Sequence, residues 1–380
     1  MLQSPGFAFS ALSFILVIGP LVFIHELGHY LVGRWCGVKA DVFSIGFGRE
    51  LIGWTDKRGT RWKIGWLPLG GYVKFAGDMN PASTPSHEWL MLPAEERAKT
   101  FQSKAVWQRF LIVAAGPVMN FLFAIILFMG IFGVIGYPKS VAASTEITQV
   151  APGSAAQRAG ILAGDRIVSI GGREIEDFRQ LAEYVVLRPG ATTQVVVDRR
   201  QQQLRMTVTL ADKELTDEFG NRTRAGELGV RSNAMVLEKL PIQELPGKAI
   251  AQTGDMLEAI VVTLGQLVVG DRSLDDLGGP IKTAQISGQQ ASLGLLPLLW
   301  LMAVISVNLG FINLLPIPML DGGHLFFYLI EGARRKPLQP EAQEWAFKAG
   351  LAALLMLMIF VTLNDLASFG LWTRLGGLIG

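Results

Sequence analysis

Cysteine is almost missing from this 380-residue chain. Cys36 stands alone, so no internal disulfide can brace the fold. A part facing an oxidising compartment must therefore rest on its apolar core, and Cys36 itself reads as inert. Charge is scarce as well. Asp, Glu, Lys and Arg together make up 17% of the residues, and the formal net charge is only +2. That excess is too small for a nucleic-acid partner.

What the chain has instead is apolar surface, gathered in blocks. Half the residues are hydrophobic, and the mean hydropathy is positive at +0.36. A span needs about 20 mostly apolar residues. Four blocks qualify, at about 7–33, 106–136, 295–315 and 346–369. The first has no positively charged lead-in and no clear small-residue cleavage site, so it reads as a retained helix rather than a signal peptide. Between Arg34 and Arg109 there are twelve Lys or Arg against seven Asp or Glu. Arg334, Arg335 and Lys336 follow the third block. Both basic loops are expected on the cytoplasmic side, which puts the N-terminus and the long segment 137–294 outside.

The outer segment opens with "APGSAAQRAGILAGDRIVSIGGREI" (151–175). This is a turn, a short helix, and Gly-Asp leading into a strand and a glycine turn. A helical stretch follows around 178–187, then two β-rich runs, "TTQVVVDRR" and "QLRMTVTL". The pattern over 144–212 resembles a PDZ domain of the circularly permuted bacterial type. PDZ domains bind extended peptides along a sheet edge; a plain α/β spacer is the other reading. Residues 213–294 form a less legible linker. Within it Ile250 to Val269 shows helical spacing, as an amphipathic helix on the membrane face or one packed on the PDZ-like domain. In the inner loop, about 38–78, "DVFSIGFG" and "TRWKIGWLPLGGYVKF" read as β-hairpins broken by glycine. Beside a membrane such backbone must pair or line a cavity; a plain surface hairpin is the alternative.

The chemistry starts at "HELGH" (25–29). HExxH on a helix puts two histidines on one face, one turn apart, where both can bind one Zn²⁺ while the glutamate acts as general base. His25 and His29 fit as ligands, Glu26 as base, and Gly28 permits close approach of a neighbour. Each ionisable group in a span costs roughly 2.5–3.5 kcal/mol on insertion scales, and a metal compensates three together. A polar cluster between helices or a proton path is the bland alternative. A catalytic zinc takes a third protein ligand and leaves one position open. "NLLPIPMLDGGH" (313–324) offers Asp321, with His324 three residues on. Pro316 and Pro318 break the helix there. His87 sits in a charged inner loop and reads as a surface residue.

"HELGH", "NLLPIPMLDGG" (313–323), "GPVMNF" (116–121) in the second block, and a PDZ-like segment between the second and third blocks together resemble the site-2 protease family of intramembrane zinc metalloproteases, of the regulator-of-sigma-E protease type. The likeness covers nearly the whole chain. It implies one catalytic Zn²⁺ with Asp321 as third ligand, Asn313 holding substrate, and Gly46, Phe47 and Gly48 in a membrane-associated β-loop near the substrate. It implies hydrolysis within spans of single-span proteins, such as an anti-sigma factor or a signal-peptide remnant, in a bacterial cytoplasmic (inner) membrane. The active site would lie towards the cytoplasm. Better-known members of that type carry two tandem PDZ domains; one signature is visible here. Asn120 reads as a clamp on a neighbouring helix or on the β-loop.

The expected fold is a multi-pass α-helical membrane protein of about four transmembrane helices, with a membrane-associated β-hairpin loop and an inserted extracytoplasmic PDZ-like α/β domain. Its parts are 1–136, 144–212, 213–294 and 295–380. Expected partners are membrane lipid and single-span substrates, and no nucleic acid. A non-catalytic scaffold with a structural zinc, and a metal transporter, are the rival classes; internal repeats, common in transporters, are not seen.

Overall fold

The structure, a computed structural model, describes residues 5–77, 92–140, 145–216, 222–232, 235–270, 278–336 and 338–368. His87 lies outside them. The described chain forms two compact units. One falls within 1–129, 249–257 and 278–365, the other within 130–248, 258–277 and 366–380.

Among the described residues four helices are long and apolar enough to cross a membrane. In chain order the helices are α1 (Phe7–Trp35), α2 (Ala94–Arg97), α3 (Val106–Ile135), α4 (Ala155–Arg158), α5 (Phe178–Val186), α6 (Leu245–Val269), α7 (Pro280–Leu293), α8 (Leu295–Leu314), α9 (Asp321–Arg334) and α10 (Pro340–Ser368). The four spans lie in α1, α3, α8 and α10. At 1.5 Å per residue α1 is roughly 43 Å long, more than a hydrocarbon core of about 30 Å. Its buried stripe runs through Val17, Leu21, Val22, His25, Glu26, Gly28 and His29. Its other face shows Phe7, Leu12, Leu16 and Leu31. On a protein in water that surface would be a liability; against lipid it is expected. Pro20 and Pro117 sit inside α1 and α3, as proline can where neighbouring helices support the freed backbone.

The chain between the first two spans forms one bent ribbon of two strands, β1 (Ala40–Thr55) and β2 (Arg61–Phe75). This differs from separate hairpins, because the glycines bend each strand without ending it. Gly46, Gly48 and Gly70 all have φ between 83° and 89°, which only glycine adopts without strain. A Cβ on Gly46 would meet the Leu67 carbonyl at 2.7 Å. Val42 to Ile45 pair on two sides, with Lys74 to Gly71 and with Arg61 to Ile64. Fully buried Phe43 stacks on Trp62, ring centroids 4.3 Å apart, and both pack on Tyr30 of α1. The turn after β1 is held by Asp56, which accepts from the backbone N–H of Arg58 and Thr60 and from the Trp62 indole. The ribbon is thus fixed to α1 by an aromatic core.

Helix α8 stops at Leu314, and α9 begins at Asp321. Pro316 and Pro318 lie in the break. Met319 takes φ 83°, an unusual value for a side chain with a Cβ. Gly322 and Gly323 tuck beneath this turn: a Cβ on either would meet the Leu315 or Ile317 carbonyl, at 2.1 and 2.5 Å. That packing sets Asp321 in the first turn of α9. Helix α7 was not visible in the sequence. Its N-terminal N–H groups at Gly279, Ile281 and Lys282 are capped by Asp365 of α10.

The second unit holds β3 (Tyr137–Ser140), β4 (Gln149–Val150), β5 (Arg166–Ile170), β6 (Arg173–Glu174), β7 (Thr192–Arg199), β8 (Gln202–Thr209), β9 (Ala211–Thr216), β10 (Arg222–Glu227), β11 (Val230–Arg231) and β12 (Met235–Glu238). An antiparallel sheet runs β6-β5-β7-β8. Arg200 and Gln201, both at positive φ, make the two-residue turn of the β7–β8 hairpin. The core runs from Ile147 through Ile167, Ile170, Leu181, Val195 and Val197 to Leu210, and it also takes in Leu228 from the chain after β10. Serine and aspartate cap the two helices of this unit that lie on the sheet: Ser154 accepts from Gln157 N–H, and Asp177 from Gln180 N–H.

Asp165, 1% exposed, explains the "AGILAGD" stretch. Its two oxygens accept from Arg199 at 2.7 Å each, and one also accepts from Leu162 N–H. Burial alone would raise its pKa. The Arg199 and Leu162 hydrogen bonds outweigh that and hold the carboxyl below its ordinary range.

Candidate metal centre

His25 and His29 stand one turn apart on α1, as their spacing requires. Both are buried, with 8% and 9% exposure. The break after α8 brings Asp321 to them from almost 300 residues away. Asp321 Oδ2 lies 3.1 Å from His25 Nε2 and 3.5 Å from His29 Nε2, and the two Nε2 atoms are 3.2 Å apart. Zinc with tetrahedral bonds of about 2.0–2.1 Å separates its ligand atoms by roughly 3.3 Å. The triangle matches that size. Asp321 Oδ2 is buried and accepts no hydrogen bond, which is costly unless a cation meets it. Among the described residues this trio is the one group of His, Cys, Asp or Glu placed to hold a metal.

Helix α3 makes the space. A Cβ on Gly116 would meet His29 Nε2 at 2.3 Å and His25 Cε1 at 2.9 Å. A Cβ on Gly28 would meet the Ala115 carbonyl at 2.4 Å. Glycine on both sides therefore lets α1 and α3 touch. The far nitrogens of the rings are also engaged. His29 Nδ1 donates to the Ile112 carbonyl at 2.9 Å, and His25 Nδ1 lies 3.0 Å from the Asn120 carboxamide. Asn120 is fully buried, and Ser306 of α8 donates to its backbone carbonyl.

Glu26 faces the ribbon. The Val73 backbone N–H bonds to its carboxylate, and a Cβ on Gly71 would meet Glu26 Cγ at 3.0 Å. A cavity of about 560 Å³ opens beside these groups, lined among others by Phe47, Gly70, Tyr72, Asn313 and His324. The stretch 71–73 pairs with 43–45 on one side. So Phe47 and Asn313 do reach the cavity. Gly46 and Gly48 are bends in the ribbon behind it. His324 packs on Phe347, 4.6 Å between ring centroids, and is not part of the metal trio. Sequence reasoning missed the strand 70–73 as the element against Glu26. The signal was there, in the "GG" of "LGGY", because bare glycine allows a carboxylate to lie on a strand.

The family model described as peptidase family M50 matches residues 13–357. A protein of Agrobacterium fabrum, named provisionally as a zinc metalloprotease, is 45% identical over 360 residues, covering 93% of this chain and 95% of its own. A similarly named protein of Rhizobium meliloti is 43% identical over 359 residues, with the same coverage of 93% and 95%. Metalloprotease MmpA of Caulobacter vibrioides is 37% identical over 403 residues, covering 98% of this chain and 99% of its own.

Proposed function

The chain belongs to peptidase family M50 and is a zinc metalloprotease, and on that premise we propose that it cuts peptide bonds within the spans of single-pass membrane proteins. One observation carries this reading. The trio His25, His29 and Asp321 lies in a unit whose helices are apolar enough to span a membrane, beside a cavity edged by a β-strand.

In this reading the trio holds one zinc and leaves a position open. Zinc bound there supplies Lewis acidity, activating water and polarising the scissile carbonyl. Glu26 takes the proton of the attacking water and returns one to the leaving amine. Its bond from Val73 N–H orients the carboxylate. A transmembrane helix hides its carbonyls in internal hydrogen bonds, so the substrate must open locally. The ribbon at 70–73 offers backbone groups to the opened stretch, and Asn313 from the far wall hydrogen-bonds its main chain. A structural zinc in a scaffold would call for a fourth protein ligand, and among the described residues only three groups converge.

The basic loops support a metal site near the cytoplasmic face and a second unit outside, and the proposed membrane is a bacterial inner one. Within that unit we read 144–212 as a single PDZ-like domain. A groove between α5 and the chain near β11, lined by Leu181, Val185, Leu228 and Val230, suits an extended apolar segment, so it would receive or screen substrates. Anti-sigma factors and signal-peptide remnants are the proposed substrate classes.

The test is cleavage of a single-span reporter by the purified chain in lipid vesicles, with mass spectrometry of the products. The expected cut lies within the span and stops on chelation. A cut confined to soluble flanks, or one indifferent to chelation, would overturn the proposal.

A further inference from the structure

Helix α3 meets the two histidines with a single stripe. Ile112, Gly116 and Asn120 recur every fourth residue and so share one face. Helix α1 offers His25 and His29 at the same spacing. The two stripes run head to tail. The Ile112 carbonyl serves His29 Nδ1 at 2.9 Å, the Asn120 carboxamide lies 3.0 Å from His25 Nδ1, and Gly116 between them leaves room for both rings.

A histidine that gives Nε2 to a metal carries its hydrogen on Nδ1, and that N–H needs an acceptor. For His29 the partner is a backbone carbonyl, which can only accept. For His25 it is a carboxamide, which accepts through Oδ1 or donates through Nδ2. The end nearer His25 is Nδ2, while Oδ1 is buried and accepts no hydrogen bond. The two ends are nearly alike in shape, so a half-turn of the amide exchanges them. The turn gives the orphaned oxygen the His25 N–H.

We propose that Asn120 is a positioning residue for the metal: its Oδ1 accepts from His25 Nδ1–H and thereby holds the ring with Nε2 aimed at zinc. The proposal rests on His25 being a ligand. It goes beyond a clamp between helices, because a clamp needs only bulk and any hydrogen bond, whereas this role needs an acceptor.

The test measures zinc affinity of the full-length chain in detergent by competition with a chromogenic chelator. Asn120→Leu keeps the size and removes the acceptor; zinc binding is expected to weaken by about 10–100-fold. Asn120→Asp restores an acceptor and is expected to stay within a few-fold of wild type. Spectra of ¹⁵N-histidine in zinc-loaded wild type are expected to show hydrogen on His25 Nδ1. Wild-type affinity in Asn120→Leu, a loss in Asn120→Asp as large as in the leucine variant, or a bare His25 Nδ1 would each overturn it. If the leucine variant does not fold, the aspartate variant and the spectra decide. A His25→Ala control that binds zinc as tightly as wild type would instead remove the ligand assignment, and the proposal with it.

Discussion

Asp165 and Asp321 each hold carboxylate oxygen away from water, and the protein treats them in opposite ways. Asp165, in the second unit, is held by partners from the chain itself: a two-pronged Arg199 and the Leu162 N–H. Asp321, in the membrane unit, has two imidazole nitrogens beside an oxygen that accepts no hydrogen bond. The first arrangement is complete and holds a loop. The second is an arrangement that could hold a cation. Buried carboxylates are structural when the protein satisfies them, and chemical when it leaves that to something else.

Substitutions at the two positions test that contrast. The largest effect is expected at Asp321. Asp321→Asn removes the negative charge from the trio, so zinc should fall well below one per chain by metal analysis and cleavage should disappear. Zinc retained at the wild-type level would show that Asp321 is not a ligand. Glu26→Gln comes next and separates base from ligand. Cleavage should drop by about 10²–10⁴-fold with zinc content unchanged; a wild-type rate on a single-span substrate would rule Glu26 out as base.

Gly116→Ala places a methyl 2.3 Å from His29 Nε2. We expect a several-fold loss of zinc affinity with the helices still folded, checked by chelator competition and circular dichroism. Asp165→Asn should leave zinc untouched while lowering the melting temperature of the second unit by several degrees. A change in zinc stoichiometry there would erase the distinction between the two aspartates.

The smallest effect is one of pH. Asp165 has a folded pKa below its ordinary 3.8. Its stabilisation is therefore complete above the unfolded value and is lost as pH falls through the folded one. Acid unfolding of the second unit should be less steep in Asp165→Asn than in wild type below about pH 4.

Much of the site was legible because its signals are local. HExxH places His25 and His29 on one face by helical spacing alone, and two prolines announce the break that carries Asp321. The spans were legible because lipid demands long apolar runs. Other features depend on contacts between distant parts of the chain. The cap that lets α7 begin at Pro280 is Asp365, more than 80 residues on, so no local pattern revealed that helix. The glycines in β1 and β2 read as strand ends, yet they are bends, because their φ values are set by the second pass of the ribbon. Asn120 read as a clamp, since nothing near it in sequence names a histidine partner 95 positions away.

The most direct measurement of the central claim is zinc removal and return. The purified chain, in vesicles with a single-span substrate, is stripped by a chelator and titrated with Zn²⁺. Cleavage should vanish and then recover fully at one zinc per chain. A chain with His25, His29 and Asp321 all replaced by alanine should not recover. Cleavage by metal-free protein, or one tightly held zinc in the triple variant, would contradict the account.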